Sequence, residues 1–159
     1  MLYVENCECL FITDYLLLHT DISNGLIDPN AQCTVIRKDR SGGRGGGVCA
    51  LIKRQYSVIP ITIAAKYEQL EIIGFDIVNS YPKLRVFVIY RPPHYSSQEA
   101  SYNEMLIRCL YEHRSIHHSH VIVGDFNLPK IDWNTMSCPN DHVSKLFLDH
   151  FVDCGYTVS

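Results

Sequence analysis

The sequence predicts a mixed α/β (α+β) domain, and three observations carry that reading. Short runs rich in β-branched and aromatic residues, such as "QLEIIGFDIV" and "LRVFVIY", recur along the chain and suit strands better than helices. Two later segments, 96–114 and 141–154, instead bring apolar residues round at three- and four-residue steps, the signature of amphipathic helices. With 159 residues, 47% hydrophobic and 19% charged, the chain is long enough for one domain, residues 1–159, and too apolar for a disordered tail.

The elements follow in order. Residues 8–18, "ECLFITDYLLL", begin as a buried strand whose apolar run is interrupted by Asp14. "HTDISNGLIDPNAQC" is rich in turn formers and reads as loop before the short strand "TVIRKD". Glycines 42 to 47 then lead into "VCALIKRQYSVIPI". A phosphate-cradling loop would need a helix after them, and a nucleotide loop a Lys-Ser/Thr pair, so this is a turn entering a strand. "QLEIIGFDIV" and "LRVFVIY", joined by "NSYPK", form an antiparallel pair.

In the first predicted helix Ala100, Met105, Leu106, Cys109 and Leu110 share a face, with Ser96 or Ser97 as N-cap and Glu99 in the first turn. "HVIVGDF" is short and β-branched, a core strand. The last helix covers "DHVSKLFLDHFVDC", with Val143, Leu146, Phe147, His150 and Phe151 on one face and Gly155 as its stop.

Seven cysteines are odd in number, scattered, and form no CxxC pair, which argues against a disulfide framework and for a reducing, intracellular setting, nucleus or cytoplasm. The opening "MLYVENCECLF" has no basic stretch and carries Glu5 and Glu8, a poor secretory signal. No apolar run is long enough to span a bilayer, so no membrane partner is expected. The net charge of -3 argues against a protein that coats nucleic acid by overall charge. Arg37, Lys38, Arg40 and Arg44, followed by Lys53 and Arg54, nevertheless form a local basic group, the candidate nucleic-acid contact.

The chemistry is concentrated in "HVIVGDFNLPKIDW". On a strand, Asp125 and Asn127 share one face while Phe126 anchors the other. Gly124 admits another group close to the backbone, and Leu128-Pro129 ends the strand. A carboxylate there can take a proton from water or hold a hard cation, and the neighbouring carboxamide can orient a phosphate oxygen. The same residues also suit an Asx turn, a purely local role.

Together "GGGVCALIK", "LRVFVIYRPP" and "VIVGDFNLPKIDW", in this order with a helix between the last two, resemble the endonuclease/exonuclease/phosphatase superfamily, most closely the endonuclease domain of non-LTR retrotransposons. The resemblance implies a deoxyribonuclease-I-like, four-layer sandwich of two packed mixed β-sheets flanked by helices, here incomplete and truncated at both ends. It implies hydrolysis of DNA phosphodiester bonds with Mg²⁺ or Mn²⁺, and a reverse transcriptase domain as companion in the full-length relative. Carried over residue by residue, the catalytic set is Asp125, Asn127 and Tyr90, with Asp14 as the metal ligand.

Departures from the family pattern temper the activity expected. Asp14 stands where the family has glutamate, a reach shorter by roughly 1.5 Å for an ion with strict geometry. The family's opening asparagine strand and closing Ser-Asp-His motif have no counterpart. His113 and His117 have the spacing of a zinc pair, but nothing completes a site, and they read as a solvated helix end. The expectation is a weak or inactive nuclease. Alternatives are a non-catalytic nucleic-acid- or protein-binding remnant of a mobile element, and a superfamily phosphoesterase of another substrate.

Overall fold

Alternation of apolar side chains along the strands builds two sheets that face each other across a shared core. The computed structural model describes residues 8–14, 23–40, 46–93, 99–138 and 141–153. Strands β1 (Cys9–Thr13), β2 (Cys33–Lys38) and β3 (Val48–Lys53) form an antiparallel sheet in the order β1-β3-β2. Strands β4 (Val58–Ile61), β5 (Glu71–Ile77), β6 (Leu84–Tyr90) and β7 (Ser119–Asp125) form the second, in the order β4-β5-β6-β7. The first three of these pair antiparallel, and β6 pairs parallel with β7. The reason is the helical crossover between them: a parallel neighbour requires the chain to travel back to the start of the strand.

Val48, Ala50 and Ile52 of β3 meet Ile73, Phe75 and Ile77 of β5 and Val86, Val88 and Tyr90 of β6 between the sheets. On the other side of the second sheet, Ile72, Phe87 and Ile89 pack against helices α2 (Glu99–Glu112) and α3 (His142–Asp153) through Leu106, Leu110, Phe147 and Phe151. The one-turn helix α1 (Asn24–Ile27) lies within the segment expected to be loop, and its Ile27 packs on Cys33, Cys49 and Leu51 on the outer face of the first sheet. The result is the expected incomplete four-layer order: the two sheets inside, α2 and α3 over the second, and over the first, among the described residues, the single turn of α1.

Most predicted elements appear close to their expected limits, and the differences have physical causes. Val48 to Ile52 are all buried, because β3 is the central strand of its sheet and both of its faces are covered. In α3 the buried residues, among those described, are Ser144, Phe147, Leu148 and Phe151, whereas Leu146 is exposed, a stripe turned one residue from the predicted face. Phe147 meets Phe126 in a tilted contact and Phe151 meets it edge-to-face, at ring separations of 5.5 and 5.7 Å, and the packing of these rings goes with Leu148 lying inward. In α2, Tyr102 and Asn103 join Leu106, Cys109 and Leu110 inside, while Met105 is half-buried. Ser96, Ser97 and Gly155, proposed as helix signals, lie outside the described residues, as do the side chains of Glu99, Ala100 and Val143.

Candidate functional site

Apolar residues fill the space between the sheets until the ends of β5, β6 and β7, where the same inward positions turn polar. The register sets Glu71 opposite Tyr90 and Tyr90 opposite Asp125. Counting back by two, Glu71 follows the side of Ile73, Tyr90 that of Val88, and Asp125 that of Val123, all facing the inter-sheet core. Three strands therefore present an acid, a phenol and an acid in one row. From the opposite sheet Asp14, the residue after β1, brings its charge close to Tyr90. Burial pushes the Tyr90 hydroxyl above its ordinary pKa, and the neighbouring Asp14 charge adds to that, so the group stays a neutral donor at physiological pH.

Asp125 ends β7 exposed, and the chain then turns sharply. Asn127 sits in the left-handed region at φ 47°, its N–H donating to Asp125 Oδ1 at 3.1 Å. This is the Asx-turn geometry raised as the local alternative, and here it coexists with placement at the site. The Asn127 carboxamide donates from Nδ2 to the Arg91 carbonyl at 2.8 Å, so Asn127 lies past the strand end instead of on it. Phe126 anchors the opposite side as expected, among Trp133, Phe147 and Phe151. Asp125 and Asn127, with Pro93 and Trp133, line an open cleft of about 510 Å³. Gly124 makes the approach of β7 to β6 possible: at φ 144°, any side chain there would run into the Ile89 carbonyl.

Glu71 and Arg91 belong to the site and carry no catalytic signature in the sequence. Glu71 is 8% exposed, and one carboxylate oxygen takes both Nε (2.8 Å) and Nη2 of Arg40, while the other accepts the Gly47 N–H. Gly46, one residue earlier, donates its N–H to Asp14 Oδ1 at 2.7 Å. Glu71 thus fastens the turn that holds Asp14, and Arg40 lies 5.7 Å from the Tyr90 ring centroid. An acid opening a largely apolar strand, in "LEIIGFDI", was the available signal for Glu71.

The basic group is divided by the strand period. Arg37 follows the outer face of β2 with Val35 and pairs with Asp39 at 3.0 Å. Lys38 points the other way and donates to the carbonyls of Glu68 and Leu70, both at 2.7 Å; burial lowers its pKa, offset in part by nearby acids. Arg40 reaches the site itself, and Arg44 lies outside the described residues. His113, His117, His118 and His120 cluster where β7 begins, roughly 20 Å along the strand from Asp125. His113 Nδ1 lies 2.8 Å from the Cys109 carbonyl, and His118 Nδ1 lies 2.8 Å from Ser115 Oγ.

The donors at the site are oxygens in kind: the carboxylates of Asp14 and Asp125, the Tyr90 phenol and the Asn127 amide. Among the described residues, no three His, Cys, Asp or Glu side chains gather to cage an ion. A Mg²⁺ ion keeps several waters and needs only one or two carboxylates. The exposed Asp14 and Asp125 fit that hydrated mode, and not a closed protein cage.

Two packed sheets in this order, with a polar row at their shared mouth, define the class of fold: the chain is deoxyribonuclease-I-like. Among solved structures it is similar to the endonuclease domain of TRAS1, a telomere-specific non-LTR retrotransposon, at 18% identity and TM-score 0.53, over 78% of this chain and 53% of that one. It is also similar to D. rerio TDP2 humanized by 14 mutations (10% identity, TM-score 0.55, 96% and 58% covered). The human Nocturnin catalytic domain with bound sulfate anion is a third (13%, 0.50, 88% and 55%). The chain spans little more than half the length of these proteins, and at such identities the likeness is one of fold. No protein-family model and no curated protein matches the sequence. No described helix is long and apolar enough to cross a membrane.

Proposed function

We propose that the chain carries the phosphodiester-cleaving site of a divalent-metal-dependent DNA endonuclease of the non-LTR retrotransposon kind, weakened in catalysis as it stands. The observation that carries this reading is the meeting of Asp14, Tyr90, Asp125 and Asn127, drawn from both sheets, at one sheet mouth. Asp14, with Asp125 at the same sheet mouth, would hold a hydrated Mg²⁺ or Mn²⁺, which would offset charge on a phosphate oxygen. The neutral Tyr90 hydroxyl donates to a phosphate oxygen, Asp125 accepts a proton from water, and Asn127 orients the substrate. Arg40 beside Tyr90 is the member of the basic group that reaches the site to contact nucleic acid; Arg37 on the outer face and Lys38, held by backbone carbonyls, are turned from it, and Arg44 lies outside the described residues.

Weak catalysis follows from the short Asp14 arm and from the clustered histidines lying at the far end of β7. Those same features favour a second reading, binding of nucleic acid without cleavage. The similarity to TDP2 and Nocturnin leaves a phosphoesterase of other substrates as the third. Purified protein incubated with supercoiled plasmid and Mg²⁺ or Mn²⁺ is expected to nick little or not at all. Efficient nicking abolished by Asp125→Ala would overturn the weakened state. Failure to bind Mn²⁺ or DNA at low salt would sink the site assignment altogether.

A further inference from the structure

The Asp125–Asn127 turn is held from beneath by a buried cation. Arg91 is 1% exposed, and its guanidinium donates from Nε to Asn103 Oδ1 at 2.8 Å and from Nη1 to the carbonyls of Asn127 at 3.1 Å and Phe126 at 3.3 Å. Its backbone closes the same unit from the other side. The Arg91 N–H donates to the Asp125 carbonyl at 2.8 Å, and the Arg91 carbonyl accepts the Asn127 carboxamide. Asn103, fully buried on α2, gives its oxygen to Arg91 while its Nδ2 finds no partner among the described residues, so the amide is oriented for the guanidinium and not for its own donor.

We infer that Arg91, seated on Asn103, is the positioning residue that sets the orientation of Asn127 and fixes the left-handed turn at the site. A planar fork is required for this. A lysine delivers charge to one point, whereas the guanidinium reaches α2 and two turn carbonyls at once. Without it, the left-handed turn at Asn127, φ 47°, loses two of the hydrogen bonds that hold it and keeps the Asx bond to Asp125 and the backbone contacts of residue 91. The inference rests on the reading above, in which Asn127 orients the substrate.

The test is isotope-labelled NMR of the full chain, following the side-chain amide of Asn127 and the exchange of the Asn127 N–H. Arg91→Lys is expected to shift the side-chain resonance towards its random-coil position and to speed exchange about tenfold, the equivalent of one lost hydrogen bond. Arg85→Lys serves as the control, since it weakens a half-buried ion pair with Asp76 at the far end of the same strand. It should leave Asn127 untouched. If Arg91→Lys does not fold, Asn103→Ala removes only the acceptor beneath Arg91 and is expected to move the same resonance. An Asn127 signal unchanged in the site variants, or moved equally by Arg85→Lys, would overturn the inference. Mn²⁺ broadening of signals around Asp14 in the same samples reports separately on the cation reading, so the two fail independently.

Discussion

Tyr90, the last residue of β6, and Asp14, the first residue beyond β1, come together from the two sheets at the site, and the Asp14 charge adds to the burial that holds the phenol's pKa up. A buried phenol thus meets an exposed carboxylate. Tyr90→Phe keeps the ring in its cluster with Val48 and Val88 and removes only the hydroxyl. Urea unfolding is expected to change by about 0.5 kcal/mol or less, because the packing between the sheets is retained. A loss beyond about 1.5 kcal/mol would mean that the hydroxyl itself ties the sheets together.

Asp14→Glu restores the longer arm that the superfamily resemblance calls for. If Asp14 holds the cation, the added methylene should tighten Mn²⁺ binding by about 1 kcal/mol, roughly fivefold, while Asp14→Asn should weaken it. Calorimetric titration measures both. Equal affinity in all three proteins would place the ion elsewhere.

Gly124→Ala should destabilise the fold by about 2–4 kcal/mol. The new methyl has nowhere to go, because the β6 backbone at Ile89 occupies its place and φ 144° is a glycine conformation. Denaturant unfolding provides the check. A nearly neutral result would show that β7 can draw away from β6 without penalty.

The fold should weaken in acid in two stages. His120 Nε2 accepts the Ser115 N–H at 2.9 Å and so must be neutral there. Burial, then Arg85 and His118, hold its pKa below the usual 6.5. Protonation is therefore easier in the unfolded chain, and this contribution, present above pH 6.5, is lost as pH falls through the folded value. Burial pushes the Asp76 carboxyl up, but the paired hydrogen bonds and charge of Arg85, at 2.7 Å each, outweigh it and leave the pKa below 3.8. Its contribution is present above pH 3.8 and disappears below. The urea midpoint measured against pH should decline first below about 6.5 and again below about 4, and His120→Gln should remove the upper step. A profile that keeps its upper step in His120→Gln would assign the effect to another histidine.

The sequence by itself determined the local grammar of this protein. Strand runs such as "LRVFVIY", the turn at "NSYPK", the two amphipathic helices and the acid-amide pair after "HVIVG" all arise from neighbours along the chain, and β6 begins and ends where the run does. Even the division of Arg37 from Lys38 was present in the two-residue period of a strand. Tertiary structure alone decided which of these pieces meet. Glu71 reads as an ordinary charge at a strand start, and Arg91 as part of a proline-stopped loop. Their meaning appears only once β5, β6 and β7 fall into register and α2 brings Asn103 beneath the turn. The turn of α3 by one residue has the same origin, since Phe126 chose which ring face to meet. Periodicity is a property of a segment, whereas convergence of side chains depends on pairings between segments far apart in the chain, where packing and buried hydrogen bonds outweigh local preference.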